Sequence, residues 1–341
     1  MTTNIPRIGF CCKWIDRPDQ TKGIGPKDDA KKYNTGSTTV RWLNTQTRST
    51  AEDKLWELMV RNIESTRLLV ERVSELPASL RMVRLSSDIL PCYTHNDFSS
   101  YWRQPDVVSY AETAFKRVGD LARSRDVRLS FHPGQFTVLA SSNPGIVENS
   151  IKEFEYHADM ARWMGYGRTF QDFKINVHIA GREGPEGIRR AYSRLTPEAR
   201  NCITIENEEM NYGIESCLTL ADTLPIVLDI HHHWVATGEY IKRSDDRCSR
   251  VLDSWRGVRP ALHYSCSRED LLVGHDASIP PRMDTLLTEG YKKQKLRAHS
   301  DFYWNTATNK WALSFLDAWD IQCESKGKNL ASHALYEQWK K

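Results

Sequence analysis

The sequence lacks paired cysteines, long apolar runs and an excess of charge of either sign. Its eight cysteines form no C-x-x-C pair, so they do not predict a structural zinc site. No stretch of eighteen apolar residues is present, and none therefore predicts a membrane-spanning helix. The 47 basic residues nearly balance the 44 acidic ones, and at a net charge of +3 any surface that binds nucleic acid must be local.

These absences indicate the compartment in which the protein is expected to lie. Cysteines without metal or disulfide spacing are expected to be reduced thiols, and no charged segment followed by an apolar one predicts a signal peptide. We therefore expect a soluble, intracellular protein with no membrane partner. It would lie in the cytoplasm or nucleoid of a prokaryote or virus, or in the nucleus of a eukaryote.

A low-complexity linker is lacking too, and the 341 residues instead contain eight short runs rich in Val, Ile and Leu. The runs do not alternate apolar with polar residues, which is typical of parallel strands buried on both faces. Amphipathic stretches of helical period separate them, the clearest at 50–76. The runs cover residues 8–12, 82–85, 127–131, 174–177, 202–205, 226–228, 261–264 and 321–323.

Alternating strands and helices predict an α/β fold. Eight right-handed βαβ units close most naturally into a (β/α)8 TIM barrel, with an open doubly wound sheet as the alternative. We predict a single barrel domain over residues 1–330 and a short helical tail at 331–341. Two segments, 16–44 and 91–105, follow the first two strands and are predicted to be long loops on the C-terminal face.

Six apolar runs end in a side chain that can bind a metal. A barrel of parallel strands brings the C-terminal ends of all its strands to one mouth, so residues distant in sequence become neighbours there. Histidine together with carboxylates suits Mn, Fe or Zn, and the pattern predicts a polynuclear metal site. The six endings supply His132, His178, Glu206, Asp229 with His232, His263 and Glu324.

Two of the endings contain repeated candidate ligands. In the histidine triplet at 231–233, alternate residues would leave a strand on opposite sides, so we select His232 and expect its two neighbours to pack. Among the glutamates of IENEE we select Glu206, because it ends the apolar run. Glu208 and Glu209 are expected to be loop charges.

The ordered motifs RLSSDILP, HPGQF, NVHIAG, IENEE, LDIHH, HYS and ESKGK resemble the UV-damage endonuclease family from Ile8 to about Lys328. That family shares its barrel and metal arrangement with endonuclease IV-type abasic-site nucleases. The resemblance implies a metal-dependent DNA repair endonuclease that recognises cyclobutane pyrimidine dimers, 6-4 photoproducts and abasic sites. It would hydrolyse the phosphodiester 5′ to the lesion by a multi-metal mechanism and leave a 3′-hydroxyl and a 5′-phosphate.

The resemblance also implies eight metal ligands in three groups. They are His132, His178 and Glu206 for one ion; Asp229, His263 and Glu324, with Glu206 bridging, for a second; and His232 and His299 for a third. Glu206, Asp229, His263 and Glu324 are the expected catalytic residues. Two or three divalent ions are expected, Mn first, with Mg, Zn or Co as alternatives. The number stays open because Ala261 stands where the family usually carries a modified lysine.

Two short segments are similar to the family's lesion contacts. In HPGQF, a tight turn at Pro133 and Gly134 would project Gln135 and Phe136 as a wedge into damaged double-stranded DNA, although Phe136 could instead pack at the barrel mouth. In the first strand, Phe10 and Trp14 are the expected lesion contacts. The candidate phosphate contacts, each equally compatible with a solvated surface lysine, are Lys13, Lys326 and Lys328.

Two other functions remain compatible with these residues. A metal-dependent sugar isomerase or epimerase on the same barrel would use similar ligands and predicts a closed small-molecule pocket. A catalytically silent binder of damaged DNA would bind without nicking. For the nuclease we expect a monomer with no obligate protein partner.

Overall fold

The computed structural model describes residues 5–17 and 29–341, and its centre is one eight-stranded parallel sheet. The strands are short and almost entirely buried, as runs without polar alternation predict. They are β1 (Ile8–Cys11), β2 (Met82–Arg84), β3 (Arg128–Phe131), β4 (Lys174–His178), β5 (Ile203–Glu206), β6 (Ile226–Val227), β7 (Ala261–Tyr264) and β8 (Asp320–Cys323). Hydrogen bonds connect them in the order β6-β5-β4-β3-β2-β1-β8-β7.

The sheet closes on itself between β6 and β7. A parallel bridge pairs Asp229 with His263, and the backbone N–H of His263 donates to the carbonyl of Leu228 at 3.0 Å. The predicted TIM barrel is therefore confirmed, and the open doubly wound sheet is excluded. Both residues of the closing bridge are predicted metal ligands, so the seam of the barrel and its candidate site coincide.

The described residues contain thirteen α-helices, which pack mainly outside the strands. They are α1 (Val40–Leu43), α2 (Arg48–Ser74), α3 (Pro105–Ser124), α4 (Pro144–Trp163), α5 (Gly184–Tyr192), α6 (Pro197–Cys202), α7 (Ile214–Leu218), α8 (Ile230–Thr237), α9 (Asp246–Ser254), α10 (Met283–Thr288), α11 (Lys293–Leu296), α12 (Thr306–Leu313) and α13 (Lys328–Trp339). Short 3-10 helices lie at Asp29–Tyr33, Ala78–Leu80, Tyr101–Arg103 and Glu269–Leu271.

Local signals in the sequence account for several helix ends. Helix α2 begins after Thr47, whose side chain accepts a hydrogen bond from the N–H of Thr50, and it buries Leu55, Met59 and Ile63 on one face. The stretch between β4 and β5 forms two helices, α5 and α6. The break occurs because Thr196 caps a new helix whose first residue is a proline.

The final helix belongs to the barrel. Helix α13 contacts β1, and its Ala331 and Leu335 are fully buried. The predicted boundary between a domain ending at 330 and a tail starting at 331 falls inside this helix. Separating the two would expose apolar surface that the helix now covers.

The loops on the C-terminal face differ in size from the prediction. Residues 18–28 of the first predicted loop lie outside the described residues, and the rest of that loop includes a 3-10 turn and α1. The segment at 265–305, between β7 and β8, is a third long excursion that sequence reasoning did not single out. It has its own apolar cluster, which includes Leu272, Met283, Leu286 and Leu296.

Two of the absences noted in the sequence have structural counterparts. All eight cysteines lie within the described ranges and are free thiols. None of the helices described is both long and apolar enough to cross a bilayer.

Candidate metal centre

Seven predicted ligands converge at the C-terminal mouth of the barrel, and we call them the mouth cluster. They form three overlapping triads, each with ligand atoms within 4.8 Å of one another. The triads are His132, Glu206 and His263; His178, Glu206 and His232; and Asp229, His263 and Glu324. The last triad is the set predicted for the second ion. Glu206 and His263 each belong to two triads. Of the two, Glu206 has a second carboxylate oxygen and therefore suits a position between neighbouring cations.

Glu206 lies at the centre of the mouth cluster. It ends β5 and is fully buried, with Oε2 3.3 Å from Nε2 of His132 and Oε1 3.0 Å from Nδ1 of His263. The side-chain amide of Asn176 donates to Oε2. Burial alone would raise the pKa of Glu206, but His263 and His178 outweigh it and hold the pKa well below its usual range. The carboxylate is therefore charged and available as a ligand.

Asp229 provides the clearest sign that the cluster suits a cation. It is the N-cap of α8, and its Oδ1 accepts the backbone N–H of His232 at 2.7 Å. Its other oxygen, Oδ2, is buried and has no hydrogen-bond partner among the described residues. Burial raises the pKa of Asp229 to about 7. Oδ2 lies 3.6 Å from Nδ1 of His232, so an ion pair is its one described contact with a basic side chain. A buried carboxylate oxygen with no hydrogen bond, in a triad with His263 and Glu324, fits a divalent ion.

The histidine triplet is placed differently from the prediction. Residues 231–233 lie in α8 and not in a strand, because Asp229 caps a helix at that point. Successive helical residues point about 100° apart, so only one of the three faces the cluster. That residue is His232, the one selected, although the strand-based reason for selecting it was wrong. His231 stacks on Trp234, and Nε2 of His233 lies 3.1 Å from Glu239.

Charge within the cluster is shared unequally among its basic groups. Burial lowers the pKa of His178 to about 4, so this imidazole is neutral and its lone pair is free for a metal. Burial also disfavours a charged His232, but the carboxylates of Asp229, Glu206 and Glu209 outweigh it and raise its pKa to about 9. Arg84 of β2, which sequence reasoning missed, donates to Oε1 of Glu324.

A cavity of about 660 Å³ opens directly above the cluster. Its rim carries Arg268, Lys295 and Arg297 from the 265–305 excursion. Glu208 and Glu209 also line it, and the carboxylate of Glu209 lies 3.8 Å from Nε2 of His232. Glu209 is thus part of the cavity wall and not simply a loop charge. The sequence holds a signal for the basic rim in the run KKQKLR, which the prediction did not use.

His299 lies apart from the seven clustered ligands. It lines the same cavity but belongs to none of the three triads. Its ring centroid lies 6.1 Å from that of His231, and its backbone bridges to Ser267. The assignment of His299 to a third ion stays a prediction. Ala261 is fully buried in β7 and provides no ligand.

The HPGQF motif forms an exposed turn beside the cavity. The N–H of Thr137 donates to the carbonyl of Gly134 at 2.9 Å, which places Gln135 and Phe136 at the two central positions, one residue later than predicted. Phe136 is 85% exposed, which excludes the alternative that it packs at the mouth. Gln135 lines the metal cavity, whereas Phe136 lines a second cavity of about 570 Å³.

The two aromatic residues expected to contact a lesion from the first strand lie in the core instead. Phe10 is 1% exposed and Trp14 is 5% exposed. Trp14 packs on Phe10 and on His333 of α13, and its indole N–H donates to Asp16 at 2.9 Å. Neither ring presents a face to a duplex, because both fill the space between β1 and the helices around it. This placement corrects the expectation of direct lesion contact.

The three candidate phosphate contacts lie near the mouth in different environments. Lys13 follows β1 and is exposed. Lys326 is exposed too, with its ammonium 3.8 Å from Asp301. Lys328 is half-buried at the start of α13 and adopts a positive φ of 49°. Their contact with DNA stays a prediction.

One buried residue below the mouth was missed entirely. Lys174 begins β4 and is 3% exposed, and burial lowers its pKa to about 7. Alternate residues of a strand share a face, so Lys174, Asn176 and His178 all point into the barrel. That period of two, counted back from His178, was the signal in the sequence that could have found both residues.

The fold and the cluster together define the class of this protein. It is a TIM-barrel enzyme whose mouth gathers histidines and buried carboxylates suited to divalent ions.

Comparisons with known proteins make the assignment specific. The sequence profile of the UV-endonuclease UvdE family matches residues 28–340. The UV DNA damage endonuclease of Bacillus mycoides (strain KBAB4) is 30% identical over 296 residues, which cover 82% of this chain and 81% of that protein. The UV DNA damage endonuclease of Bacillus velezensis is 30% identical over 235 residues, covering 66% and 70%.

Solved structures agree with the fold. SacUVDE superposes with a TM-score of 0.71 at 20% identity and covers 98% of both chains. Endonuclease IV from Thermus thermophilus superposes with a TM-score of 0.50 at 14% identity, covering 80% of this chain and 93% of that one. The chain belongs to the UV-endonuclease UvdE family, and it is a DNA repair endonuclease.

Proposed function

We propose that this enzyme nicks damaged double-stranded DNA at the phosphodiester 5′ to the lesion, leaving a 3′-hydroxyl and a 5′-phosphate. Its substrates would be cyclobutane pyrimidine dimers, 6-4 photoproducts and abasic sites. The observation that carries the proposal is the mouth cluster itself: three triads are linked through Glu206 and His263 beneath an open cavity of about 660 Å³, beside an exposed aromatic turn.

Two or three divalent ions, with Mn²⁺ first among them, would be held by the mouth cluster. When bound, such ions polarise a phosphodiester, activate water and stabilise the leaving oxygen. The mixture of imidazole nitrogens and carboxylate oxygens suits Mn²⁺ and leaves Mg²⁺, Zn²⁺ and Co²⁺ as alternatives. A third ion, if present, would use His232 and His299.

The chain's own residues prepare the centre in three ways. Neutral His178 presents a lone pair, and the cap hydrogen bond fixes the carboxylate of Asp229 within a triad that includes His263 and Glu324. Arg84 holds the carboxylate of Glu324 from the side of β2. Ligands fixed before substrate arrives lose little freedom on binding, which is the requirement for a preorganised site.

The exposed turn would recognise the lesion by its weakened stacking. Damaged bases are unstacked at lower cost, so deformability can replace sequence readout. Phe136 offers a free ring to fill the gap left in the duplex, and Gln135 would face the metal side of that gap. Arg268, Lys295 and Arg297 on the rim, together with Lys13, Lys326 and Lys328, would contact phosphates.

The two rival functions receive less support. A sugar isomerase needs a closed pocket for a small molecule, whereas this cavity opens beside an aromatic ring that is 85% exposed. A silent DNA binder has no need of clustered metal ligands, and here seven of the eight expected ligands form the three triads. Incubation with a ketose or an aldose checks the first rival directly.

The proposal is tested with 5′-labelled duplexes that carry one cyclobutane dimer, one 6-4 photoproduct, one abasic site or no lesion. The enzyme should cut each damaged duplex once, immediately 5′ to the lesion, and the product should be extendable by a DNA polymerase because it ends in a 3′-hydroxyl. Cleavage 3′ to the lesion, or equal cleavage of the undamaged duplex, would contradict it. Binding without any cut would favour the silent binder.

A further inference from the structure

A lysine from the start of one strand contacts a candidate metal ligand on a strand across the barrel. Nζ of Lys174, in β4, lies 2.8 Å from Nε2 of His263, in β7. Lys174 is 3% exposed and His263 is fully buried. Their sequence separation of 89 residues means that only closure of the barrel brings them together.

The two ring nitrogens of His263 have different surroundings. Nδ1 faces the carboxylates, at 3.0 Å from Glu206 and 3.2 Å from Glu324. Nε2 faces Lys174, and within the described part of the chain no carboxylate or carbonyl forms a hydrogen bond with it. A histidine that binds a metal through one nitrogen relies on the partner of the other nitrogen for its orientation.

Lys174 has no evident structural reason to be buried. Among the described residues, no carboxylate lies within ion-pair distance of its Nζ, so burial of the amine is not compensated by a salt bridge. An apolar side chain of similar length would fill the same space at lower cost. A costly polar group kept beside a ligand is typical of a functional position.

On β7, the residue two positions before His263 is small. Ala261 and His263 are two residues apart on the same strand and therefore share the inward face. Ala261 is fully buried and its side chain ends at Cβ, so no side chain extends from position 261 toward the amine of Lys174. A long side chain at 261 would compete with Lys174 for the space beside the imidazole ring.

We propose that Lys174 is a positioning residue that holds the imidazole of His263 in its metal-binding orientation. It contacts no reacting atom and acts through the ring of His263. The inference rests on the proposed metal centre, because the orientation matters only if Nδ1 binds an ion.

The test measures Mn²⁺ affinity by electron paramagnetic resonance in the wild type, Lys174→Met, Ala261→Lys and the double variant. Methionine keeps the length of the side chain without the amine, so Lys174→Met should fold and bind Mn²⁺ at least about tenfold more weakly. The double variant returns an amine to the ring from β7 and should recover affinity. Ala261→Lys alone should weaken binding, because two amines then compete for one space.

Unchanged Mn²⁺ affinity in Lys174→Met overturns the inference. Failure of the double variant to recover also overturns it, because the loss then belongs to packing at position 174. If Lys174→Met does not fold, Lys174→Gln replaces it, since it shortens the side chain but keeps a polar end. A wild type that neither binds Mn²⁺ nor nicks a lesion contradicts the proposed function instead, so the two failures are distinguishable.

Discussion

Both ends of the barrel interior contain a buried aspartate, but the two differ in whether every carboxylate oxygen has a hydrogen-bond partner. At the N-terminal end, which we call the basal cluster, Asp320 accepts hydrogen bonds from the backbone of Arg7 at 2.9 Å and from the side chains of Arg259 and Arg128. Both of its oxygens have partners. In the mouth cluster, by contrast, Oδ2 of Asp229 accepts no hydrogen bond from the described residues and has only Nδ1 of His232 at 3.6 Å.

This difference indicates that the basal cluster contributes to stability and that the mouth cluster serves function. In the basal cluster, Asp320 uses both of its oxygens to hold the first residues of β3 and β8 together. It therefore has no oxygen left for a ligand. A cluster in which a carboxylate oxygen accepts no hydrogen bond has a higher free energy in the folded protein. The same oxygen stays available for a cation. The same reasoning explains why the C-terminal face of such barrels contains active sites and the N-terminal face contributes to stability.

The largest effect should follow from Asp229→Asn. The amide keeps Oδ1 as the cap of α8 but replaces the free oxygen with an NH₂ group, which cannot bind a cation. We expect nicking of a dimer-containing duplex to fall by about 10³-fold, equivalent to about 4 kcal/mol. Single-turnover rates at saturating Mn²⁺ measure it, and a rate within a factor of three of the wild type would remove Asp229 from the centre.

In metal-free solution the free energy of unfolding of Asp229→Asn should be no lower than that of the wild type. The difference between the two should depend on pH. Burial raises the pKa of Asp229 from 3.8 to about 7. A raised pKa means that the folded protein binds the proton more tightly than the unfolded chain, so wild-type stability is lost as the pH rises through this window. Urea unfolding between pH 4 and 8 measures this difference. The free energy of unfolding of the variant, relative to that of the wild type, should rise with pH up to about pH 7 and no further.

The matched substitution at the other end, Asp320→Asn, should give the reverse result. It removes a charge that two guanidinium groups and one backbone N–H share, so we expect the free energy of unfolding to fall by about 3 kcal/mol. Nicking and Mn²⁺ affinity should stay at the wild-type level below the melting temperature. Loss of Mn²⁺ affinity in this variant, with its fold intact, would erase the distinction between the two clusters.

A smaller effect is expected from Phe136→Ala, which removes an exposed ring from the mouth without touching a ligand. Affinity for a dimer-containing duplex should fall about tenfold to a hundredfold, because one stacking contact contributes about 1–3 kcal/mol. Mn²⁺ affinity should not change. Trp56→Ala on α2 is the control, since it also removes a partly exposed aromatic ring, and fluorescence anisotropy compares the two. Equal losses in both variants would exclude a specific wedge.

The smallest effect should come from Lys295→Gln on the cavity rim. Within the described residues its ammonium has no acidic partner at ion-pair distance, so it is available to a phosphate. Removing one phosphate contact should lower the slope of log affinity against log salt concentration by about one. It should weaken the binding of damaged and undamaged duplexes to the same extent. Lys310→Gln on α12 is the control. Identical slopes for both variants would exclude Lys295 from the DNA surface.

Much of the barrel and the mouth cluster could be predicted because strand ends are encoded locally. An apolar run specifies a buried strand, and the next polar residue then lies at the mouth, which is why His132, His178 and Glu324 were identified. Helices were predictable within a few residues wherever a cap or a proline marks the start, as at Asn143 before α4.

Other parts of the site depend on contacts that no local pattern specifies. Phe10 and Trp14 were misplaced because an aromatic ring after a strand can fill the core as well as meet a ligand, and packing against α13 decides which. Lys174 was missed because it lies at the start of β4 and reaches His263 across the barrel. On β7 itself, the position two residues before His263 is Ala261, so the amine beside the ring comes from another strand.

The central claim is that the mouth cluster is a metal-dependent nuclease centre, and one titration tests it most directly. Protein stripped of metal by a chelator is mixed with a duplex carrying a single cyclobutane dimer, and Mn²⁺ is added stepwise while nicking and bound Mn²⁺ are measured together. The account predicts no nick without metal and a single nick 5′ to the dimer that appears as the sites fill. Nicking that persists without metal, or binding of DNA and Mn²⁺ with no nick at any concentration, would contradict it.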